Sequence, residues 1–214
     1  MRFILRLLFV LGLGALSVAC APRAVTPPPI QIQPPPAPVA QSCYDALTQL
    51  GAKFEPRQAM PRNAQGCFID EPVMLEQATI PLNRAALMTC PLAQALAAFE
   101  RDVVQPAAQR HFNRPVAQIV HYGAYVCRAQ TGRNDRLSEH GMGRAFDIGG
   151  FVIAGNIRIS VKDHWRERGP RGAFLREVAQ GACHHFNLVL TPKTDAAHRD
   201  HLHLDIGKWT RCDA

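Results

Sequence analysis

The cysteines constrain what this chain can fold into more than any other feature of its sequence. There are seven among the 214 residues, and no two are spaced as a C-x-x-C pair, so a zinc ion bound by cysteines is a weak interpretation. In an exported chain, this many cysteines predict a disulfide framework. If Cys20 does not form a disulfide, the other six cysteines can pair in many ways that sequence alone does not separate. We expect the sequential set, in which each bond closes a modest loop: Cys43–Cys67, Cys90–Cys127 and Cys183–Cys212.

The N-terminus indicates export. Arg2 and Arg6 precede an apolar run, Leu7–Ala19, that is too short to span a bilayer comfortably. Cys20 follows the run, as in a bacterial lipoprotein signal, although the small residues Ala19 and Ala21 would also allow ordinary cleavage after Ala21. We favour the lipoprotein, because ordinary cleavage would discard a cysteine to no purpose. The sequence therefore predicts a signal peptide over residues 1–20 and a periplasmic protein of the bacterial envelope, anchored to a membrane by a lipid on Cys20.

Residues 21–41 are expected to be a spacer outside the fold. Eight prolines lie within the seventeen residues Pro22–Pro38, and almost no side chain there could build a core. Such a stretch is extended at ~3.1 Å per residue, which gives a reach of about 50 Å. A disordered linker of no specific length is a compatible interpretation. The globular domain is expected over residues 42–214.

The charge of the chain bears on its partners. The formal net charge is +7, but the basic residues are scattered and aromatic residues make up only 7% of the chain. Nucleic acid is therefore not an expected partner. A mildly basic surface in the bacterial envelope would instead suit an anionic polymer such as the cell wall.

Hydrophobic periodicity predicts helices together with hairpin-linked strands. The clearest helix opens at Thr89–Pro91, and Pro106 is expected to kink or break it. Two other segments have helical period, Cys43–Leu50 and Ala173–His184. Besides short pieces within residues 67–80, strands are predicted over Val116–Arg128, Ala145–Ala154, Ile157–Val161, Phe186–Leu190 and His201–Ile206. Together these elements predict an α+β domain with a small antiparallel sheet flanked by helices and stapled by disulfides.

Two segments are rich in histidine and aspartate. Ser138–Asp147 (SEHGMGRAFD) places a histidine and an aspartate among small residues, and His198–Asp205 (HRDHLHLD) adds three more histidines. On a strand, His201, His203 and Asp205 would point to one face, because the side-chain period is two. Imidazole and carboxylate groups are zinc ligands, and a catalytic zinc ion takes three protein ligands and leaves one position to water. We therefore predict one metal site to which both segments contribute.

Other polar residues near these segments have two interpretations. Asp200 and Asp205 could accept hydrogen bonds from the ligand imidazoles, or they could be solvated loop carboxylates, and the sequence favours neither. His121 stays undecided, because it lies on a strand expected to flank the cleft. The remaining histidines are expected to be surface or packed residues: His111, His164, His184 and His185.

The spacing of the two segments resembles that of a known group of enzymes. The S-x-H-x-x-G-x-A-x-D pattern of Ser138–Asp147 resembles the signature of the zinc D-Ala-D-Ala carboxypeptidases and murein endopeptidases. The H-x-x-H-x-H pattern of His198–His203 is similar to the end of the penicillin-insensitive murein endopeptidase branch. The wider run from Cys43 to Cys212 is more similar still to bacterial extensin-like C-terminal domain proteins, in stretches such as VHYGAYVCR, RLSEHGMGRAFDI and AAHRDHLHLDI.

This resemblance implies a fold like that of the zinc D,D-peptidases and a single zinc ion. Its ligands would be His140, Asp147 and His203. His201 would be the catalytic base, and His198 a second catalytic histidine.

The resemblance also implies an activity, the zinc-dependent hydrolysis of amide bonds in peptidoglycan stem peptides or cross-links. Ser138 and Arg128 would bind the substrate, Arg128 being the nearest counterpart of an arginine that follows Ser-Gly-Tyr in the peptidases. The imperfect match at that position keeps an alternative open: a non-catalytic cell-wall-binding or scaffolding lipoprotein that retains the peptidase fold. A weaker third interpretation is a zinc-buffering protein. Peptidoglycan and, through Cys20, a membrane are the expected partners, and the sequence identifies no protein partner.

Overall fold

The computed structural model describes residues 42–214. The predicted signal peptide, the lipid-bearing Cys20 and the spacer over residues 21–41 lie outside the described residues, and their assignment stays a prediction. No helix within residues 42–214 is long and apolar enough to cross a membrane.

Runs of strands are separated by single or paired helices along the described chain. The helices are α1 (Cys43–Gln49), α2 (Cys90–Phe99), α3 (Gln105–Phe112), α4 (Val161–His164) and α5 (Pro170–Ala182). The strands are β1 (Lys53–Pro56), β2 (Pro72–Gln77), β3 (Pro81–Thr89), β4 (Val116–Gly123), β5 (Ala129–Gln130), β6 (Arg133–Leu137), β7 (Ala145–Ile153), β8 (Ile157–Ser160), β9 (Leu188–Leu190), β10 (Leu202–Asp205) and β11 (Arg211–Cys212). Two 3-10 helices, Glu139–Met142 and Ala196–His198, lie between strands in the part that carries the predicted site.

The predicted α+β class is confirmed, but the sheet is larger than the small antiparallel one expected. Within the described residues it has nine strands in the order β1-β2-β3-β4-β7-β10-β9-β11, with β8 also paired to β7. Two neighbouring pairs, β3 with β4 and β9 with β11, are parallel. Three strands of this sheet were not predicted. β1 and β11 have four and two residues, and hydrophobic alternation is not detectable over so few positions. β3 has nine residues, but its buried and exposed positions do not alternate regularly.

The helix that opens at Thr89 is interrupted as predicted. The Thr89 hydroxyl accepts a hydrogen bond from the Leu92 amide at 3.4 Å, which caps α2. Between α2 and α3, residues Glu100–Val104 form a π-helical turn, and Pro106 follows at the start of α3. Proline has no amide hydrogen and its ring crowds the carbonyl four residues earlier, so the wider π turn accommodates it without ending the helical path.

The hydrophobic core lies between the sheet and the helices. The largest fully buried side chains include Phe99, Phe146, Phe151 and Phe174. The rings of Phe151 on β7 and Phe174 on α5 pack edge to face with centroids 5.2 Å apart, which fixes the helix against the central strand. The predicted apolar face of α5 is buried, as expected from its helical period.

Three disulfides staple the described chain, and two of the three predicted pairings are wrong. The bonds join Cys43 to Cys90, Cys67 to Cys127, and Cys183 to Cys212, so that only the last matches the sequential set. The pairing follows spatial neighbourhood: Cys43–Cys90 joins the first residues of α1 and α2, which pack together. Loop length in the sequence carried no information about that packing.

Candidate metal centre

The first histidine of the site is presented by a tight turn. Ser138 caps the 3-10 helix Glu139–Met142, its hydroxyl accepting a hydrogen bond from the His140 amide at 3.3 Å. Gly143 ends that helix in the left-handed region at φ 62°, and its carbonyl accepts from the Thr89 amide at 2.9 Å. Glycine adopts this conformation without strain. A Cβ on Gly141 would lie 2.9 Å from Leu137 and 3.1 Å from the Cys67 sulfur. The two glycines therefore let the turn pack closely against its surroundings and fix His140.

The other two members of the group face each other across the sheet. Asp147 on β7 is the direct antiparallel partner of His203 on β10. Cross-strand partners have neighbouring side chains, so these two residues, 56 positions apart in sequence, are held side by side by backbone pairing. The predicted juxtaposition of the two motif segments is thereby realised.

The donor atoms of the three residues converge. His140 Nε2 lies 3.1 Å from Asp147 Oδ2 and 3.2 Å from His203 Nδ1, and His203 Nδ1 lies 2.9 Å from Asp147 Oδ1. All three ligand atoms lie within 4.8 Å of one another, with His140 and His203 buried and Asp147 partly buried. Of the residues predicted to bind metal, all three are therefore found in one group.

The outward-facing nitrogens of both histidines are already occupied. His140 Nδ1 donates to the Ala124 carbonyl at 2.5 Å, and His203 Nε2 donates to Asp205 Oδ2 at 3.3 Å. In their neutral forms both rings then turn an unprotonated nitrogen toward Asp147. Two nitrogen lone pairs and a carboxylate at these distances repel one another unless a proton or a metal ion lies between them, so this donor set fits a metal ion.

The pKa values of Asp147 and His203 are both shifted in the direction that favours their charged forms. Burial alone would raise the pKa of Asp147, but hydrogen bonds and charge from His140 and His203 outweigh it and hold that pKa far below its usual range. Burial would lower the pKa of His203, but hydrogen bonds to Asp147 and Asp205 raise it instead. Without a metal, a proton therefore occupies His203. A metal ion has to displace that proton, so its affinity is expected to rise with pH.

The two predicted catalytic histidines lie beside this group, each oriented by a carboxylate. His201 Nδ1 donates to Asp200 at 2.9 Å, and its Nε2 lies 3.7 Å from Asp147 Oδ1. His198 Nδ1 donates to Asp195 at 2.7 Å, and its ring centroid is 5.3 Å from that of His201. Burial lowers the pKa of His198 against the opposing effect of Asp195, so it is neutral near pH 7.

The open question about Asp200 and Asp205 is answered by these contacts. Asp205 accepts from His203, a member of the metal group, and Asp200 accepts from His201 beside it. Both carboxylates thus orient imidazoles of the site.

A cleft of about 590 Å³ opens beside the group and includes the predicted substrate-binding residues. Arg128 is exposed and lines the cleft, with Nη1 3.2 Å from the Ala129 carbonyl. Ser138 also lines it, although its hydroxyl is engaged in capping the turn. The structure therefore gives Ser138 a positioning contact to His140 and leaves the Arg128 side chain at the cleft surface.

His121 lies outside the group. It is buried, its ring stacks on Phe146 with centroids 5.0 Å apart, and its Nε2 donates to the Arg84 carbonyl at 2.9 Å. Its undecided role is therefore resolved in favour of a packed histidine.

Sequence reasoning missed Tyr122 and Asp195. The Tyr122 ring is half-exposed and packs edge to face with His201 at 5.9 Å between centroids. Its position next to His121 on an alternating strand was the available signal, because neighbouring strand residues point to opposite faces. Asp195 had a local signal as well, since it lies three residues before His198 and caps the 3-10 helix that carries it.

Fold and site together define an α+β, disulfide-stapled protein with a His/Asp/His group that could hold a metal ion. A family model described as extensin-like protein C-terminus matches residues 41–213, which is most of the chain. The chain belongs to that family, as its motifs suggested. No curated protein and no solved structure matches it significantly.

Proposed function

We propose that the protein is a zinc-dependent peptidase of the bacterial cell envelope that hydrolyses amide bonds in peptidoglycan stem peptides or cross-links. The observation that carries the proposal is the convergence of His140, Asp147 and His203 at the wall of an open cleft, with His201 beside them. Two imidazoles and one carboxylate suit zinc better than calcium or magnesium, which prefer all-oxygen sites.

Zinc held by these three residues would polarise the scissile carbonyl and make water a better nucleophile near neutral pH. His201 would move the proton. Its Nδ1 proton is held by Asp200, so its Nε2 is free to accept a proton from the attacking water and to return it to the leaving amine. His198 is neutral and adjacent, and its Nδ1 donates to Asp195, so its Nε2 would accept a hydrogen bond from the attacking water or from a hydroxyl of the tetrahedral centre.

Substrate binding would depend on the exposed cation of the cleft. Arg128 forms no salt bridge with any described residue, and a guanidinium binds carboxylates through paired hydrogen bonds. A carboxylate of the stem peptide is therefore its expected ligand. In this proposal the zinc D,D-peptidase-like fold supplies the scaffold, and Ser138 acts by holding His140 in place.

The proposed location in the envelope is supported by the disulfides. Three such bonds are expected of a protein that leaves the reducing cytoplasm. Metabolic labelling with a fatty acid tests the anchor, and the label should disappear in Cys20→Ser. Retention of the label in that variant would contradict the lipoprotein assignment.

One experiment tests the activity. Residues 42–214 are purified, their metal content is measured, and they are incubated with peptidoglycan with and without a chelator. We expect one zinc per chain and new muropeptides that vanish with the chelator and in His203→Ala. The matched control is His184→Ala, an exposed histidine outside the site, which should behave like the wild type. Stoichiometric zinc with an unchanged muropeptide profile would favour the non-catalytic wall-binding alternative, and the absence of tight metal would contradict the zinc peptidase.

A further inference from the structure

A second cavity adjoins the metal cleft. It has a volume of about 270 Å³, and its walls include Arg136, Lys208 and Trp209. Gln130 and Glu139 line both this cavity and the cleft. A ligand that extends from the cleft past these two shared residues would therefore enter the second cavity.

The segments that hold the metal group also build this cavity. Glu139 immediately precedes His140, and the run from Asp205 to Trp209 continues directly from His203. The Gly207 amide donates to Asp205 Oδ1 at 2.8 Å, which ties this run to the carboxylate that orients His203. A Cβ on Gly207 would lie 2.4 Å from Glu139 Cδ, so the glycine lets the Glu139 carboxyl group pack closely against this run. The cavity and the metal group are therefore built from the same two chain segments.

The cavity carries positive charge on an aromatic surface. The Arg136 guanidinium lies 5.5 Å and the Lys208 ammonium 5.2 Å from the centre of the Trp209 ring. Trp209 is 50% exposed, unlike most large apolar residues here. Neither cation forms a salt bridge within residues 42–214. Both are therefore available to an anionic group of a ligand.

The wall of the second cavity also includes one carboxyl group, that of Glu139. Glu139 Oε2 is buried and has no hydrogen-bond partner within the described chain. Buried polar atoms without a partner are rare, and one at the wall of a cavity suggests that a donor comes from the ligand. A polyanion such as a phosphate or a uronic acid chain would be repelled by Glu139. A ligand with an anionic group and a hydrogen-bond donor close together suits the cavity, because the anionic group can face Arg136 and Lys208 while the donor faces Glu139.

We propose that the second cavity binds the free amino-acid head group, an ammonium and a carboxylate on one carbon, at the end of a diamino-acid side chain in the substrate peptide. The carboxylate lies between Arg136 and Lys208, the ammonium donates to Glu139, and the side-chain methylenes pack on Trp209. This inference rests on the proposed function, since it names the part of the peptide that is bound beside the bond to be cleaved. It predicts that the enzyme distinguishes diaminopimelate from lysine, which differs only in lacking that carboxylate.

The test compares two synthetic stem peptides that are identical except for meso-diaminopimelate or lysine at the third position. Binding to zinc-loaded residues 21–214, which lack the lipid-bearing Cys20, is followed by tryptophan fluorescence. Trp165 is buried, so a ligand-induced change reports on Trp209. We expect the diaminopimelate peptide to bind about tenfold more tightly or better, as a charge-assisted hydrogen bond contributes.

Arg136→Gln and Lys208→Gln should each remove most of that preference. The control is Arg133→Gln, an exposed arginine on β6 that does not line the cavity.

The outcomes separate this inference from the proposed function, because binding is measured apart from hydrolysis. Hydrolysis of both peptides with equal kcat/KM and equal affinity would overturn the subsite and leave the peptidase. Preferential binding without any hydrolysis would support the subsite and overturn the peptidase. Tighter binding of a uronic acid oligosaccharide than of the diaminopimelate peptide would overturn the assignment of the ligand.

Discussion

Asp147 and Glu100 are both largely buried carboxylates, yet they differ in what surrounds them. Burial would raise the pKa of Asp147, but hydrogen bonds and charge from the two histidines that it faces hold that pKa far below the usual range. Glu100 lies in the π-helical turn among neutral partners: its Oε2 accepts from the Thr79 amide, the Thr79 hydroxyl and the Ile80 amide, and its Oε1 has no partner among the described residues. Burial dominates there and raises the pKa of Glu100 to about 7. The two pKa shifts therefore have opposite directions because only Asp147 faces ionisable side chains.

The largest expected effect of this difference is on metal binding. Asp147→Asn removes the charge between the two histidines and should weaken zinc binding more than ~100-fold, since loss of an outer-shell partner alone costs 10–100-fold. Competition with a chromophoric chelator measures the affinity. Glu100→Gln is the matched change at the other buried carboxylate and should leave zinc affinity unaltered. Comparable losses in both variants would contradict the assignment of Asp147 as a ligand.

Glu100 should instead control the dependence of stability on pH. Its pKa in the folded protein is about 7, above the value of 4.5 expected when it is solvated, so protonation favours the folded state. Its contribution is fully present below pH 4.5 and is lost as the pH rises through 7, by up to about 3 kcal/mol. Urea unfolding of the metal-free protein at several pH values measures this loss. Glu100→Gln cannot titrate, so its stability should fall less over that range, and parallel curves for the two proteins would refute the role of Glu100.

A smaller effect is expected from the carboxylates that orient the histidines. Asp205→Asn weakens the hydrogen bond that fixes the tautomer of His203, and zinc affinity should fall by about 10–100-fold. Asp200→Asn disturbs His201 instead, which is not one of the three ligands, so it should lower kcat and spare zinc affinity. Titration with zinc and steady-state kinetics on one substrate separate the two effects. An unchanged zinc affinity in Asp205→Asn would show that the 3.3 Å contact is unimportant.

The site was more predictable from the sequence than the fold around it. His140 and Asp147 are placed by one short turn and the strand that follows, so their spacing in sequence carries their geometry. His203 was recognisable because the H-x-x-H-x-H pattern of His198–His203 resembles a peptidase motif, as the Ser138–Asp147 pattern does.

The disulfides and the sheet edges depend on tertiary packing that no local pattern records. Cys67 pairs with Cys127 across 60 positions. Residues 131–136, which show no hydrophobic alternation, contribute most of β6, paired with β5 in a separate two-stranded sheet. The position of Trp209 at the wall of the second cavity likewise depends on tertiary packing and could not be predicted from its neighbours in sequence.

The turn that brings His140 to Asp147 gives the smallest expected effect, and one with a close control. Gly143 and Gly132 both have positive φ, 62° and 75°, but a Cβ on Gly143 would lie 3.2 Å from Ile69 and 3.3 Å from the Thr89 amide nitrogen, whereas nothing lies within 4 Å at Gly132. Each change to alanine should cost about 1–2 kcal/mol of stability through backbone strain. Only Gly143→Ala should also weaken zinc binding, because relief of the crowding moves the turn that carries His140. Urea unfolding of the metal-free proteins and zinc titration measure the two quantities. Equal zinc affinities in the two variants would mean that the position of His140 does not depend on the conformation of Gly143.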